Sequence, residues 1–366
     1  MLRTGLGLAT LAALGRPARL LVALGPRQQV VSCNPKLGVH TRLTDEVEEW
    51  KIKRTLSMVR EMGARWVVEY FPWAYIEPEP GRDSWAHSDL VVEHAERQGL
   101  ALIARLGYVP AWLRPEQSAP SLLQAESRRI FADFCARFAR RYRGAVRYVI
   151  VWNEPNLAQE WGFRPPSPSE YSEMLRLCYP ALKAEDTSLK VLAGALAPMP
   201  SPLSDPLAMD DLAYLEGMYA GGASAYFDAL AVHAYGWAYP PDDAPSTERV
   251  NFRRTELIRA LMVAYGDTGK PCFVTEAGWN DHPRWTRAVS PAERMLYTQQ
   301  AYDLALRQWP WCEAVAMWAF RFPWPQRTYQ DHFSFVAPDF TPRAVYEAVR
   351  QYSHQCTMAA SLRPAL

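Results

Sequence analysis

The stretch Arg147-Tyr148-Val149-Ile150-Val151-Trp152-Asn153-Glu154-Pro155-Asn156 decides how this chain is read. Its first half is a β-branched and aromatic run of the kind that fills a buried strand. It then delivers Trp, Asn and Glu in succession, and Pro155 stops the strand. A carboxylate at the mouth of a buried strand is costly to place and rarely idle. A matching stretch follows further on: Pro271-Cys272-Phe273-Val274-Thr275-Glu276-Ala277-Gly278-Trp279. Again an apolar run ends in a glutamate, and a glycine turn follows.

Outward from these two runs, short apolar segments alternate with amphipathic helical patterns, which is the signature of a parallel sheet. Strands are expected at residues 37–40, 64–70, 100–106, 147–152, 189–193, 227–233, 271–276 and 313–318. Gly194 is read as closing the fifth. Helices are expected at 45–62, 88–98, 125–142, 168 onward, 210–219, 248–265, 291 onward and 342–352. In the first helix Val47, Trp50, Leu56, Val59 and Met62 fall near helical spacing, and Thr44 is read as its cap. Ser167-Pro168-Ser169-Glu170 and Ser290-Pro291-Ala292-Glu293 read as capping boxes with proline at the first helical position. Eight strands and eight helices in strict alternation, over about 320 residues, predict a closed (β/α)8 barrel. An open doubly wound sheet would carry a glycine-rich phosphate loop after its first strand, and Gly38-Val39-His40-Thr41 is not one. Residues 35–355 are therefore read as one catalytic domain, with 1–34 as a leader or tail and 356–366 as a C-terminal tail.

The totals narrow the function. The chain has 366 residues and a formal net charge of +1, so phosphate-driven nucleic-acid binding is not expected. The six cysteines are scattered, without metal-ligand spacing, and Cys272 and Cys312 read as buried thiols. No metal or cofactor is expected. At the N-terminus, an apolar run at residues 6–14 resembles a short signal segment, but arginines interrupt it and no membrane span is formed. Val30-Val31-Ser32-Cys33 loosely resembles a lipoprotein cleavage box, separated from any apolar run. The 14 tryptophans and 12% aromatic content suit sugar stacking as well as core packing.

In a barrel, Glu154 and Glu276 end strands four and seven on one face. Paired carboxyls there are what glycoside hydrolysis needs, about 5–5.5 Å apart for retention and about 6.5–9.5 Å for inversion. Either glutamate alone could be a salt-bridged rim residue; as a pair with Asn153 adjacent they point to chemistry.

Trp152-Asn153-Glu154-Pro155-Asn156 together with Thr275-Glu276-Ala277-Gly278-Trp279 resembles glycoside hydrolase clan A, of the family 39 and family 5 type. Phe71-Pro72-Trp73, Pro110-Ala111-Trp112, His233-Ala234-Tyr235-Gly236 and Trp318 extend the resemblance over nearly the whole chain. It implies a retaining hydrolase of β-glycosidic bonds, with Glu154 as acid/base and Glu276 as nucleophile. It also implies substrate contacts from Asn153, His233, Tyr235, Trp318, Trp279, Trp73, Trp112 and His40. One departure is that the clan's arginine near the end of strand two is missing, with Arg105 or Arg42 as replacements. The expected partner is a β-linked glycan or glycoside, acted on by a monomer, secreted or in the cell envelope. Aromatic loops around Trp73, Trp112, Trp161, Trp237, Trp285 and Trp324 favour an open, endo-acting cleft. Alternatives are a transglycosylase at the same site, a non-catalytic sugar-binding barrel, and a redox or other enzyme on the same fold.

Overall fold

The computed structural model describes residues 26–202 and 205–355. Eight parallel strands form a closed barrel in sequence order. They are β1 (Leu37–His40), β2 (Trp66–Pro72), β3 (Ala101–Gly107), β4 (Tyr148–Val151), β5 (Lys190–Leu196), β6 (Ala229–Tyr235), β7 (Cys272–Gly278) and β8 (Cys312–Met317). The ring closes where Leu37, Gly38 and Val39 pair with Val315, Ala316 and Met317. Among the described residues, eight helices of ten or more residues separate or follow the strands, besides a single helical turn at Trp73–Ile76: α1 (Glu49–Glu61), α2 (Ala86–Arg97), α3 (Arg128–Arg141), α4 (Pro168–Glu185), α5 (Asp211–Ala220), α6 (Arg254–Ala264), α7 (Pro291–Gln308) and α8 (Ala344–Gln355). The (β/α)8 expectation is met.

Two cores follow from strand alternation. One lies between strands and helices. The other fills the barrel with Trp66, Val68, Ile103, Ile150, Leu192, Ala231, Phe273 and Ala316. Trp66, Tyr148 and Phe273 meet there at ring distances of 5.1–5.7 Å. Gly38 faces Trp66, and a Cβ on it would lie 2.8 Å from the Trp66 Cβ, so a side chain there would displace the floor of the barrel. Two residues further along each strand, the same inward face carries His40, Tyr70, Arg105 and His233. Apolar floor and polar mouth thus belong to one alternating pattern.

Two local breaks in that pattern matter. In β5, Gly194 (φ +88°) does not end the strand; Ala195 follows at φ +57°, and the strand runs on to Leu196 through a bulge. In β7 the pairing with β6 shifts register, from Val232 opposite Val274 to His233 opposite Glu276. The shift absorbs one residue, so Glu276 rather than Thr275 takes the inward phase set by Phe273.

Several boundaries differ from expectation. Helix α1 begins at Glu49 rather than at residue 45, because Leu43–Asp45 form a 3-10 turn gathered by the buried Glu69. The Leu43 and Thr44 amides and the Thr41 hydroxyl donate to its carboxylate. Val47 and Trp50 therefore lie outside the core, at 91% and 55% exposure. The Ser290–Glu293 capping box forms in full, while Ser167 caps α4 by accepting from the Glu170 amide.

Of the stretch 1–34, residues 26–34 are described, and they are tied to the barrel domain. The Gln28 amide donates to Arg97 O, and buried Asn34 donates to Tyr302 O and Tyr352 Oη. Cys33, the last residue of the segment that resembles a lipoprotein cleavage box, is disulfide-bonded, so its sulfur is not free to carry a lipid. Cys135, Cys178, Cys272 and Cys312 are buried free thiols. The apolar run at residues 6–14 and the tail at 356–366 lie outside the described residues. Among the described residues no helix is long and apolar enough to cross a membrane.

Candidate active site

Glu154 reaches the barrel mouth on a tight turn after β4. Trp152 (φ +75°) and Glu154 (φ +37°) both hold left-handed backbone, a conformation costly for side chains of this size. The turn is tied down from both sides. The Trp152 amide donates to Leu106 O, and the Glu154 amide donates to Ala195 O on the β5 bulge. The bulge that sequence reading mistook for a strand end is thus an anchor for the glutamate.

Glu276 sits opposite, almost enclosed. Arg105 Nη1 lies 2.6 Å from its Oε1, and the Tyr235 hydroxyl donates to Oε2 at 2.8 Å. Burial alone would push its carboxyl up, but His233 and Arg105 outweigh it and hold the group at about 2. Burial and the two nearby carboxylates keep the Tyr235 hydroxyl protonated, and so a donor. His233 stands between the glutamates, its Nδ1 2.7 Å from Glu154 Oε1 and 3.7 Å from Glu276 Oε2. Burial works to lower its pKa, yet the Glu276 and Glu154 charges raise it. One oxygen of each glutamate and a ring nitrogen of His233 all lie within 4.8 Å of one another. That spacing would also suit a metal ion, but the Arg105 guanidinium already neutralises Glu276 and would repel a cation beside it.

His40 is fully buried, its pKa lowered to about 3 by burial and by Arg105. Its Nδ1 lies 2.7 Å from Thr41 O, which can only accept, so the ring proton is on Nδ1. Nε2 is left as an unpartnered acceptor 3.6 Å from Glu276 Oε1. Asn153 accepts from Arg105 Nη1 through Oδ1 at 2.7 Å, which fixes its amide orientation. Of the two arginines expected as replacements, Arg105 reaches Glu276 and Asn153, whereas Arg42 pairs with Asp45. Trp318, half-buried after β8, is held upright by edge contacts to Tyr235, Phe322 and Phe333 at 5.4–6.5 Å.

The structure therefore brings together Glu154, Glu276, Asn153, His233, Tyr235, His40 and Trp318. Three tryptophans expected to contact substrate stand elsewhere. Trp73 is fully buried, stacked on Phe134, with Nε1 bonded to Glu77. Trp112 packs edge-on against Trp73 and donates to Glu77 O. Trp279 is 1% exposed and donates to Tyr239 O beneath the β6 loop. Each spends its ring on loop packing. Trp161 is likewise buried; Trp285 stacks on Tyr329, and Trp324 is exposed. Sequence reasoning missed Glu160 and Tyr70. Tyr70 follows from inward alternation after Trp66 and Val68. Glu160 ends a three-residue 3-10 turn, Ala158–Glu160, too short for a period to mark it.

No protein-family model matches the chain, and no curated protein matches it. Similar solved structures exist. A family 39 glycoside hydrolase from Bacteroides cellulosilyticus WH2 superposes with a TM-score of 0.71 at 19% identity, over 88% of this chain. The chain spans 64% of that enzyme's length. A monomeric beta-xylosidase from Caulobacter crescentus CB15 gives 0.63 at 18% identity, over 88% of this chain and 69% of that one. A Bacteroides uniformis beta-glucuronidase 2, covalently bound to cyclophellitol-6-carboxylate aziridine, gives 0.57 at 17% identity, over 88% and 35%. The barrel of this chain is therefore the barrel on which these glycoside hydrolases are built.

Proposed function

We propose that the protein is a retaining glycoside hydrolase acting on β-linked glycans or glycosides. The observation that carries the proposal is the pair Glu154 and Glu276, on the mouths of β4 and β7, with oxygens within 4.8 Å. That spacing suits the retaining arrangement, at about 5–5.5 Å, rather than the inverting one. Family 39 hydrolases and a covalently trapped glucuronidase among the similar structures point the same way.

In this reading Glu276, ionised by Arg105, His233 and Tyr235, attacks the anomeric carbon and forms a glycosyl ester. Glu154 gives its proton to the leaving oxygen, and then takes one from the water that breaks the ester. Asn153 bonds the sugar 2-hydroxyl through the amide hydrogen that Glu160 does not take. Trp318 lies under the sugar ring, and the lone pair of His40 Nε2 accepts from a hydroxyl. Exposed Phe163 after β4 and Trp324 after β8 stand on loops from opposite strands of the ring, as an endo-acting cleft would require. The disulfide at Cys33 supports a secreted or envelope location.

The test is hydrolysis of a panel of aryl β-glycosides and polysaccharides by wild type and by Glu276→Ala with azide. An α-glycosyl azide formed by the variant supports the roles given; a wild type that binds oligosaccharides and cleaves none sinks them.

A further inference from the structure

Beside the paired glutamates, on the side of β2, β3 and β4, lies a cavity of about 360 Å³, within the range of small-ligand pockets. Its walls include Tyr70, Arg105, Tyr108, Asn153, Glu160 and Phe163. It shares Arg105 and Asn153 with the Glu276 network, so it opens next to the reacting groups. Its rim is aromatic: Phe163 is 72% exposed, and Tyr108 meets exposed Tyr75 edge-on at 5.7 Å. A polar interior with aromatic faces at the rim is what a sugar ring needs.

The charge of this cavity is lopsided. Glu160 is the third carboxyl of the neighbourhood, after Glu154 and Glu276. Arg105 is the cation that acts on it, but Arg105 Nη1 is already held by Glu276 and Asn153. Among the described residues no lysine, arginine or histidine comes within ion-pair distance of Glu160; the ion pairs of the site are those of Glu276 and Glu154. Tyr70, beneath Arg105 at 4.8 Å, is uncharged. Consistent with surplus negative charge, burial and the Glu154 charge push the Glu160 carboxyl up to about 7.

Resting on the glycosidase reading for its place beside a cleavage point, we propose that this cavity is a sugar subsite and that Glu160 makes it reject carboxylated sugars. It takes a neutral sugar unit, tolerates an amino sugar, and turns away a uronic acid. A hydroxyl or ammonium donates to Glu160, whereas above about pH 7, where Glu160 is ionised, a uronic carboxylate meets a like charge that has no ion-pair partner of its own among the described residues. Like-charge contacts of this kind discriminate strongly between partners.

The test is calorimetric binding to wild type, Glu160→Gln and Glu160→Asp. The probes are cellobiose, laminaribiose and mannobiose, each beside its C6-carboxylate counterpart, together with the glucosamine disaccharide. Wild type is expected to prefer at least one neutral disaccharide over its carboxylated form by about tenfold or more. Glu160→Gln, isosteric and uncharged, is expected to narrow that gap, and Glu160→Asp to keep it. Equal binding of the carboxylated form, an unchanged gap in Glu160→Gln, or no binding of any neutral disaccharide overturns the proposal. Binding with the expected preference but no hydrolysis removes the glycosidase reading and leaves the subsite. Hydrolysis without the preference does the reverse.

Discussion

Arg105 Nη1 bridges Glu276 Oε1 and Asn153 Oδ1, at 2.6 and 2.7 Å. One guanidinium from β3 therefore sets both the charge of the proposed nucleophile and the orientation of the proposed 2-hydroxyl ligand. Replacing it by alanine strips Glu276 of a counter-ion in a buried setting. Arg105→Ala is expected to lower kcat by about 10²–10³-fold. The sign of the pH effect follows from the depressed carboxyl of Glu276. Its ionised form persists down to about pH 2 in wild type, so losing Arg105 moves the acid limb of kcat/KM upward. A pH–rate profile in which that limb stays in place would contradict the assignment.

Glu154 is assigned proton transfer to the leaving group. Glu154→Ala is expected to lose about 10²–10⁴-fold on substrates with poor leaving groups. Dinitrophenyl glycosides, which leave without a proton, should be spared in their first step. Equal losses on both substrate classes in pre-steady-state kinetics would argue against the role.

His233 lies between two carboxylates that raise its pKa. A histidine raised on folding adds stability that is fully present below its unfolded value, about 6.5, and fades as pH climbs through the folded value. The Tm gap between wild type and His233→Gln should therefore be widest near about pH 6 and narrow towards about pH 9. Thermal melts across that range check it; a gap that widens with pH would mean that the charged ring is not what stabilises.

Gly236 follows Tyr235 and lies against Trp279, where a Cβ would fall 2.0 Å from the indole. Gly236→Ala should cost about 1–3 kcal/mol by overpacking, and should lower activity by displacing Tyr235 from Glu276. Gly269→Ala, with open space around its Cβ position, is the control and should leave Tm nearly unchanged. Chemical denaturation of both variants measures the difference.

The barrel was legible because strand runs such as Val149-Ile150-Val151 and the cap at Ser290 announce themselves by period and chemistry. The paired glutamates were legible because each ends such a run. Trp73 and Trp279 were misplaced for a physical reason: an indole serves a loop core and a sugar platform equally well, and only its surroundings separate the two. Gly194 reads as punctuation in one dimension and acts as a bulge in three, because Leu196, two residues on, rejoins the sheet opposite Val232. Glu160 ends a turn too short for periodicity, and its meaning comes from Arg105 and Asn153, which are distant in sequence from one another but adjacent in the fold.

The one-residue register shift between Val232 and His233 has a consequence for how such a protein changes over generations. Below the shift, β7 answers to the packing of Phe273; above it, to the placement of Glu276. The two halves of the strand keep separate count. Substitutions that refill the barrel floor can therefore accumulate without rotating the reactive carboxylate, whereas losing a single residue at the shift would turn it out of the barrel and silence the site in one step.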